Sequence, residues 1–122
     1  MILAFVVSVA AGLGAVLRYV VDVSVQHRVR GEFPYGTLVI NLTGSLFLGI
    51  VTGLALHHGL SKNTTLILGT GLAGGYTTLS TWAVESLALA EKGSIAEAGI
   101  NVVGSFALGM AAAAAGLGLA LL

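Results

Sequence analysis

Four long apolar stretches, separated by short polar segments, make up most of this chain of 122 residues. They run over about 2–21, 38–56, 64–90 and 95–120. About 20 apolar residues of α-helix are enough to cross a bilayer, so each stretch is long enough to span one. In lipid a chain must also satisfy its own backbone hydrogen bonds, which a helix does. The sequence therefore predicts an all-α membrane protein, a single domain over 1–122 with four transmembrane helices.

Composition supports the same class and excludes several others. Charged residues make up 8% of the chain, against about 25% in a soluble domain, and the mean hydropathy is +1.02. The five basic and five acidic residues form no basic patch for nucleic acid. The absence of cysteine excludes disulfides and thiolate metal sites. No nucleophile, base and orienting group come together in the sequence, so we do not expect an enzyme.

The third stretch carries residues that a lipid-facing helix does not favour. Gly74 and Gly75 are adjacent, and glycine lowers helix stability by roughly 1 kcal/mol relative to alanine. Five hydroxyl residues follow within six positions: Tyr76, Thr77, Thr78, Ser80 and Thr81. The stretch also exceeds the roughly 20 residues that one crossing needs. We predict that this third helix is broken near residues 74–78 and that the break forms an ion site.

The second and fourth stretches repeat one spacing, with an amide, a hydroxyl and small residues every four positions. The two sets are Asn41, Ser45, Gly49 and Gly53, and Asn101, Ser105, Gly109 and Ala113. Residues four apart share one helix face. Each set therefore predicts a seam of small residues packed against another helix. For Asn41 a second interpretation, the lining of a pore or an ion site, stays equally open, because a buried amide needs several hydrogen-bond partners.

Arg18 and Glu85 are charged residues that fall inside the apolar stretches. Arg18 lies four residues before Asp22, so the two side chains can pair on one helix face. Arg18 either reaches for the membrane surface or provides a cation at the mouth of an anion path. Glu85 is the only acid within a span beyond its first turn, where Glu97 of the fourth span lies, and it predicts a gate, a proton-linked group or an interfacial helix end.

Local signals predict where the helices begin and end. The polar segment 23–35, with His27, reads as a loop that ends at Pro34. Thr37 then suits the N-cap of the second helix. The residues from Ser94 to Glu97 match a capping box that opens the fourth helix.

The chemistry of the polar side chains predicts ion handling. Amides and hydroxyls without basic groups suit a small ion that loses its hydration shell gradually. Backbone carbonyls freed at a helix break suit a hard cation such as sodium. Trp82 falls near the middle of its stretch, where a ring beside an ion path explains it better than an interfacial belt does. A chain this small does not enclose a wide pore alone, so we expect an oligomer.

Three motifs resemble those of the CrcB/Fluc fluoride channel family. They are GLGAVLRY over 12–19, PYGTLVINLTGS over 34–45 and GGYTTLSTWAVE over 74–85. The resemblance implies a four-helix subunit that assembles as an antiparallel, dual-topology dimer in the bacterial inner membrane. It also implies a channel that lets cytoplasmic fluoride leave the cell passively, which reduces fluoride toxicity.

The resemblance also implies roles for individual residues. The backbone carbonyls of Gly74 and Thr77 would bind a structural sodium ion at the dimer centre, and Arg18 would lie at the vestibule. The fluoride path would be lined by Asn41, Ser105, Thr78, Ser80, Leu79, Trp82 and Glu85. The family places phenylalanine at positions 79 and 82 and usually tyrosine at position 101, and this chain departs from all three. Leu79 has no ring edge to offer an anion.

Two alternatives stay open at this level. Arg28, Arg30 and Lys92 fall on one predicted side of the bundle and only Lys62 on the other, which favours one fixed orientation with both termini outside. A chain of fixed orientation would need an oppositely oriented, paralogous subunit and would not conduct alone. The other alternative is a small multidrug-resistance-type exporter, which relies on an acid in the first span, where residues 2–17 contain none.

Overall fold

The computed structural model describes all 122 residues, Met1–Leu122, and contains helices but no strands. Three helices are long and apolar enough to cross a membrane. They are α1 (Ile2–Arg28), α2 (Tyr35–His57) and α5 (Ile95–Leu119). Between α2 and α5 lie two shorter helices, α3 over residues 62–76 and α4 over Ser80–Glu91.

The helical conformation stops at Tyr76 and resumes at Ser80. Thr77 is extended, with φ −77° and ψ 158°. Before this point α3 is π-helical over Leu66–Ala73, and α5 contains a second π-helical stretch over Ile100–Gly104. Such wide turns are rare and often lie at functional sites.

The segments that connect the long helices collect at two ends of the bundle. Lys92 Nζ lies 3.7 Å from Glu32 Oε1, which brings the α1–α2 and α4–α5 connections together at one end. We call this end, which carries Arg28, Arg30 and Lys92, the basic end. At the opposite end His58 Nε2 lies 2.6 Å from the carbonyl oxygen of Ala120, so the α2–α3 connection meets the end of α5.

The repeated small residues of α2 and α5 pack against each other. A Cβ atom at Gly49 would collide with the carbonyl oxygen of Ala113, and one at Gly116 with that of Leu46. The small residues of these two stripes therefore form a packing seam between α2 and α5, as the packing interpretation predicted. Such close backbone approach is typical of helix pairs in membranes.

A second close crossing joins α1 to α3. A Cβ atom at Gly75 would collide with the backbone of Ala11, and one at Gly14 with the carbonyl oxygen of Leu72. The two crossings place α2 between α5 on one side and the α1–α3 pair on the other.

Three sequence-based expectations about helix ends are wrong. The first helix does not end near Val21 but continues to Arg28, because no glycine or proline lies between Gly14 and Gly31. At 1.5 Å per residue its 27 residues span about 40 Å, longer than the roughly 30 Å hydrocarbon core. His27 is therefore part of its last turn and not of a loop.

The other two wrong expectations concern the N-terminal caps of α2 and α5. Thr37 is not the N-cap of α2, since that helix begins at Tyr35 directly after Pro34. Ser94 does occupy the N-cap of the last helix, but its side chain makes no capping hydrogen bond, so the capping box does not form. Ser61 caps α3, accepting a hydrogen bond from Thr64 N at 3.1 Å.

We predict that Gly49→Ala destabilises the fold, because the added methyl group meets the backbone of α5. Overpacking of this kind typically costs 1–3 kcal/mol. Gly118→Ala is the matched control, since a Cβ atom there has no neighbour within 4 Å. Thermal unfolding in detergent should show a lower midpoint for Gly49→Ala only. Equal midpoints for the two variants would contradict the packing described for this seam.

Candidate functional site

The three residues between α3 and α4 are held by side chains from α1 and α2. Asn41 Nδ2 donates to the carbonyl oxygen of Thr78 at 2.9 Å, and Asn41 Oδ1 accepts from Thr78 N at 2.9 Å. Arg18 Nη1 donates to the carbonyl oxygen of Thr77 at 3.2 Å. A helix interruption leaves backbone donors and acceptors without partners, and in an apolar environment these must be satisfied by other groups. Asn41 and Arg18 satisfy three of them.

The side chain of Thr78 organises the start of α4. Its hydroxyl accepts a hydrogen bond from Thr81 N at 3.2 Å and donates to Thr81 Oγ1 at 3.0 Å. This is the way a threonine caps a helix N-terminus. Ser80 Oγ lies 3.5 Å from the same hydroxyl, at the limit of hydrogen bonding.

A cavity of about 400 Å³ opens beside this segment, between α2 and α5. Six residues that the sequence assigned to the ion site line it: Asn41, Thr77, Thr78, Leu79, Trp82 and Ser105. Ser45 and Phe106, which the sequence did not assign to the site, also line it. The cavity therefore combines neutral hydrogen-bonding groups with aromatic and aliphatic surface.

Not every predicted residue reaches this cavity. Gly74, Ser80, Glu85 and Arg18 do not line it. Glu85 instead lies between α4 and α2, where its Oε1 accepts a hydrogen bond from Thr37 Oγ1 at 2.8 Å. Its Oε2 is buried and has no partner within the chain.

Arg18 and Asp22 do not form the expected pair. The structure contains one ion pair, Lys92 with Glu32. The Asp22 carboxylate lies against Gly36, where a Cβ atom would collide with its Oδ1. The guanidinium of Arg18 extends to the carbonyl of Thr77 instead, because that acceptor lies at a helix interruption and lacks a helical partner.

Asn101 is the centre of a buried polar cluster behind Trp82. Only 1% of its surface is exposed. Its Nδ2 donates to Ser86 Oγ at 2.8 Å, and its Oδ1 accepts from Ser105 Oγ at 3.1 Å. Trp82 Nε1 donates to the carbonyl oxygen of Asn101 at 3.1 Å. These hydrogen bonds fix the indole ring of Trp82 at the cavity wall. They also engage the hydroxyl of Ser105 as a donor to Asn101.

The groups proposed for a cation are backbone oxygens. Thr78 N would bond the carbonyl of Gly74 in an unbroken helix, but it donates to Asn41, and no other backbone N–H outside the helices replaces it. The carbonyl of Gly74 is therefore free to bind a hard cation. The carbonyl of Thr77 has one lone pair directed at Arg18 and a second still available. No group of three or more His, Cys, Asp or Glu residues offers another metal site.

The sequence of this chain matches a known protein family. The family model for "CrcB-like protein, Camphor Resistance (CrcB)" matches residues 5–117. The chain belongs to the CrcB family. This confirms the family that the three motifs indicated, and we therefore drop the exporter alternative. Together with the three long apolar helices, it makes this CrcB-family chain a multi-pass membrane protein.

Curated relatives of this CrcB-family chain cover most of its length. "Fluoride-specific ion channel FluC 2" of Mycobacterium tuberculosis (strain ATCC 25618 / H37Rv) is 46% identical over 110 residues, 90% of this chain and 84% of the relative. "Fluoride-specific ion channel FluC 1" of Leifsonia xyli subsp. xyli is 48% identical over 111 residues, 91% and 81% respectively. "Fluoride-specific ion channel FluC" of Methylobacterium sp. (strain 4-46) is 46% identical over 110 residues, 89% and 88%.

Sequence analysis missed two contributors to the cavity of this CrcB-family chain. Phe106 lies one position after Ser105 and supplies a ring from α5, although most of its surface is exposed. Ser45 was predicted as a member of a packing stripe and as one of the hydroxyl donors that suit a small ion, but not as a residue of the path. Its place one turn after Asn41 was the available signal.

We predict that Asn41→Ala lowers the stability of the folded protein. The substitution removes both partners of the Thr78 backbone, and each buried group left unpaired costs roughly 1–3 kcal/mol. Ser45→Ala, one turn away on the same helix, removes no hydrogen bond within the chain and serves as the control. Thermal unfolding in detergent should separate the two variants, and equal midpoints would show that Asn41 does not hold the segment.

Proposed function

We propose that this chain forms a fluoride-selective channel that lets cytoplasmic fluoride leave the cell passively and so reduces fluoride toxicity. The names of the relatives, as fluoride-specific ion channels, support this function. The observation that carries it is the cavity at the start of α4, where the amide of Asn41 and hydroxyl groups from separate helices converge. A helix N-terminus favours negative charge, and α4 begins at Ser80, beside the cavity.

In this proposal α3 and α4 together form the third of four membrane crossings, interrupted at residues 77–79. Neither helix alone is long enough to span a membrane by length and composition. Together they connect the α2–α3 turn at one end of the bundle to Lys92 at the basic end. Interrupted spans are tolerated where the irregular backbone is covered by protein or lines a wet cavity, and Asn41 and Arg18 provide such cover.

We propose an antiparallel dimer as the assembled form. Leu79 is 75% exposed and Phe106 is 67% exposed, and both lie at the cavity, next to hydroxyl groups. Ser80 and Thr81 are also exposed on the same part of α4. Lipid tails provide no hydrogen-bond partners for such hydroxyls, whereas a second subunit does. The path for fluoride would then lie between the cavity and the partner.

We further propose that sodium binds at the dimer centre through the carbonyls of Gly74 and Thr77. Gly74 is exposed on the last turn of α3, and its carbonyl is free. Carbonyl oxygens at the C-terminal end of a helix carry partial negative charge and suit hard cations. The ion would join two subunits through neutral oxygens.

Sodium is therefore expected to stabilise the assembled protein. A ligand that binds only the folded form raises stability by an amount that grows with its concentration. Thermal unfolding at equal ionic strength in sodium, potassium and N-methyl-D-glucamine salts should give the highest midpoint in sodium. Identical midpoints in the three salts would argue against a sodium site.

Fluoride efflux from liposomes that contain only this protein tests the proposed function. Liposomes loaded with potassium fluoride should release fluoride when valinomycin is added, and liposomes loaded with chloride should not. Release of both ions would contradict selectivity, and protein-free liposomes set the background. A folded protein that releases neither ion would exclude a channel formed by this chain alone.

A folded protein that releases neither fluoride nor chloride would favour a second candidate function, a paired channel of two different subunits. The Lys92–Glu32 ion pair places Arg28, Arg30 and Lys92 at the same end of the molecule, with only Lys62 near the other. This bias favours one orientation with the basic end in the cytoplasm. Addition of an oppositely oriented relative that carries phenylalanine at position 79 should then restore efflux. Efflux from this chain alone would exclude the second candidate.

A further inference from the structure

Most polar side chains that line the cavity use their hydrogen-bond donors within the chain. Thr77 Oγ1 donates to the carbonyl oxygen of Ala73 at 3.0 Å. The hydroxyls of Thr78 and Ser105 donate to Thr81 and Asn101, as described above. Trp82 Nε1 is likewise engaged with the carbonyl of Asn101. None of these four donors is available to a bound ion without breaking an existing bond.

Ser45 differs from the other hydroxyl residues of the cavity. It lines the cavity, yet its hydroxyl has no hydrogen-bond partner in the chain. Its hydroxyl faces Gly109 across the seam, since an added Cβ atom at Gly109 would lie 3.7 Å from Ser45 Oγ. The hydroxyl therefore points at α5, where glycine leaves space, and not back along its own helix.

The usual alternative for a helical serine is a hydrogen bond to the carbonyl four residues earlier. Ser8, Ser24 and Thr52 each make this bond, at 2.7–2.8 Å. Ser45 does not make it with Asn41, although the backbone is equally helical. The free hydroxyl is thus a property of this position and not of serine in these helices.

Asn41 lies one turn before Ser45 on the same face and lines the same cavity. One N–H of its amide bonds Thr78, which leaves the second N–H without an assigned partner. Two unused donors, one amide and one hydroxyl, therefore border one space with no carboxylate on its wall. An anion small enough to accept both is the ligand that this pair suits.

We propose that Ser45 is an anion-binding residue of the cavity and donates its hydroxyl hydrogen bond to fluoride next to the amide of Asn41. The proposal rests on the proposed function, since it assigns a further ligand in the same path. It gives Ser45 a role that its place in a stripe of small residues did not predict.

The single tryptophan of the chain provides a binding measurement that needs no transport. Trp82 lines the same cavity, so its fluorescence in detergent is expected to change as sodium fluoride is titrated, with sodium chloride as the control. Ser45→Ala should weaken fluoride binding by about tenfold or more, the effect of losing one hydrogen bond to an ion. Its fluoride efflux should fall as well, with an unchanged unfolding midpoint.

Three further variants are compared with Ser45→Ala. Ser8→Ala removes a helical hydroxyl that is bonded to the carbonyl of Ala4 and does not line the cavity, so this variant should bind fluoride as the wild type does. Ser45→Cys keeps a similar volume with a weaker donor and should fall between wild type and Ser45→Ala. Asn41→Ala should reduce efflux more than Ser45→Ala does, because it also releases the backbone of Thr78.

The outcomes separate this proposal from the proposed function. Wild type and Ser45→Ala that bind fluoride equally would overturn the role of Ser45 and leave the channel intact. Wild-type protein that neither responds to fluoride nor conducts it would overturn both. Weaker binding in Ser45→Ala, with Ser8→Ala unchanged, would support Ser45 as a ligand even if the chain conducts only with a partner.

Discussion

The two hydrogen bonds between the Asn41 side chain and the backbone of Thr78 hold the centre of this structure together. Residues between two helices leave backbone donors and acceptors without helical partners, and in an apolar environment each unpaired group costs several kcal/mol. The asparagine amide has a donor and an acceptor on one short, stiff side chain, so a single residue satisfies both groups of Thr78. Residues 77–79 can then stay non-helical between α3 and α4. The hydroxyl of Thr78 can cap the N-terminus of α4.

Close packing brings this amide within reach. A Cβ atom at Gly44 would collide with the methyl group of Thr77, so α2 and the interrupted segment touch where glycine removes the side chain. On the other side Gly75 lies against the backbone of Ala11, which brings α1 and therefore Arg18 close to the same segment. The glycines and the polar side chains thus depend on each other: without the close approach, Asn41 and Arg18 would not reach the backbone they stabilise.

Local patterns in the sequence predicted much of the helical architecture. Apolar length located the long helices, and the four-residue spacing located the seam between α2 and α5, because both properties depend on neighbours along one helix. The extension of α1 to Arg28 was missed because polarity was read as a loop where no residue ends the helix. Polarity marks the membrane boundary, whereas glycine and proline mark the helix boundary.

The partners of the polar side chains were not predictable in the same way. Asn41 and Thr78 are separated by 37 residues, and Arg18 and Thr77 by 59, so no local spacing encodes either contact. The predicted pairing of Arg18 with Asp22 followed a valid rule for isolated helices, but a carbonyl at a helix interruption competed for the guanidinium. The roles of Ser105 and Asn101 similarly depend on a cluster that joins α4 to α5.

Amide hydrogen exchange at Thr78 tests this account most directly. Its N–H lies outside regular helix, so its protection depends on the acceptor Asn41 Oδ1. We predict slow exchange at Thr78 in the wild-type protein and exchange at least about tenfold faster in Asn41→Ala, as expected for the loss of a single buried hydrogen bond. Rapid exchange at Thr78 in the wild type, at the rate of the loop residues 30–33, would show that Asn41 does not hold residues 77–79 in place and would contradict the account.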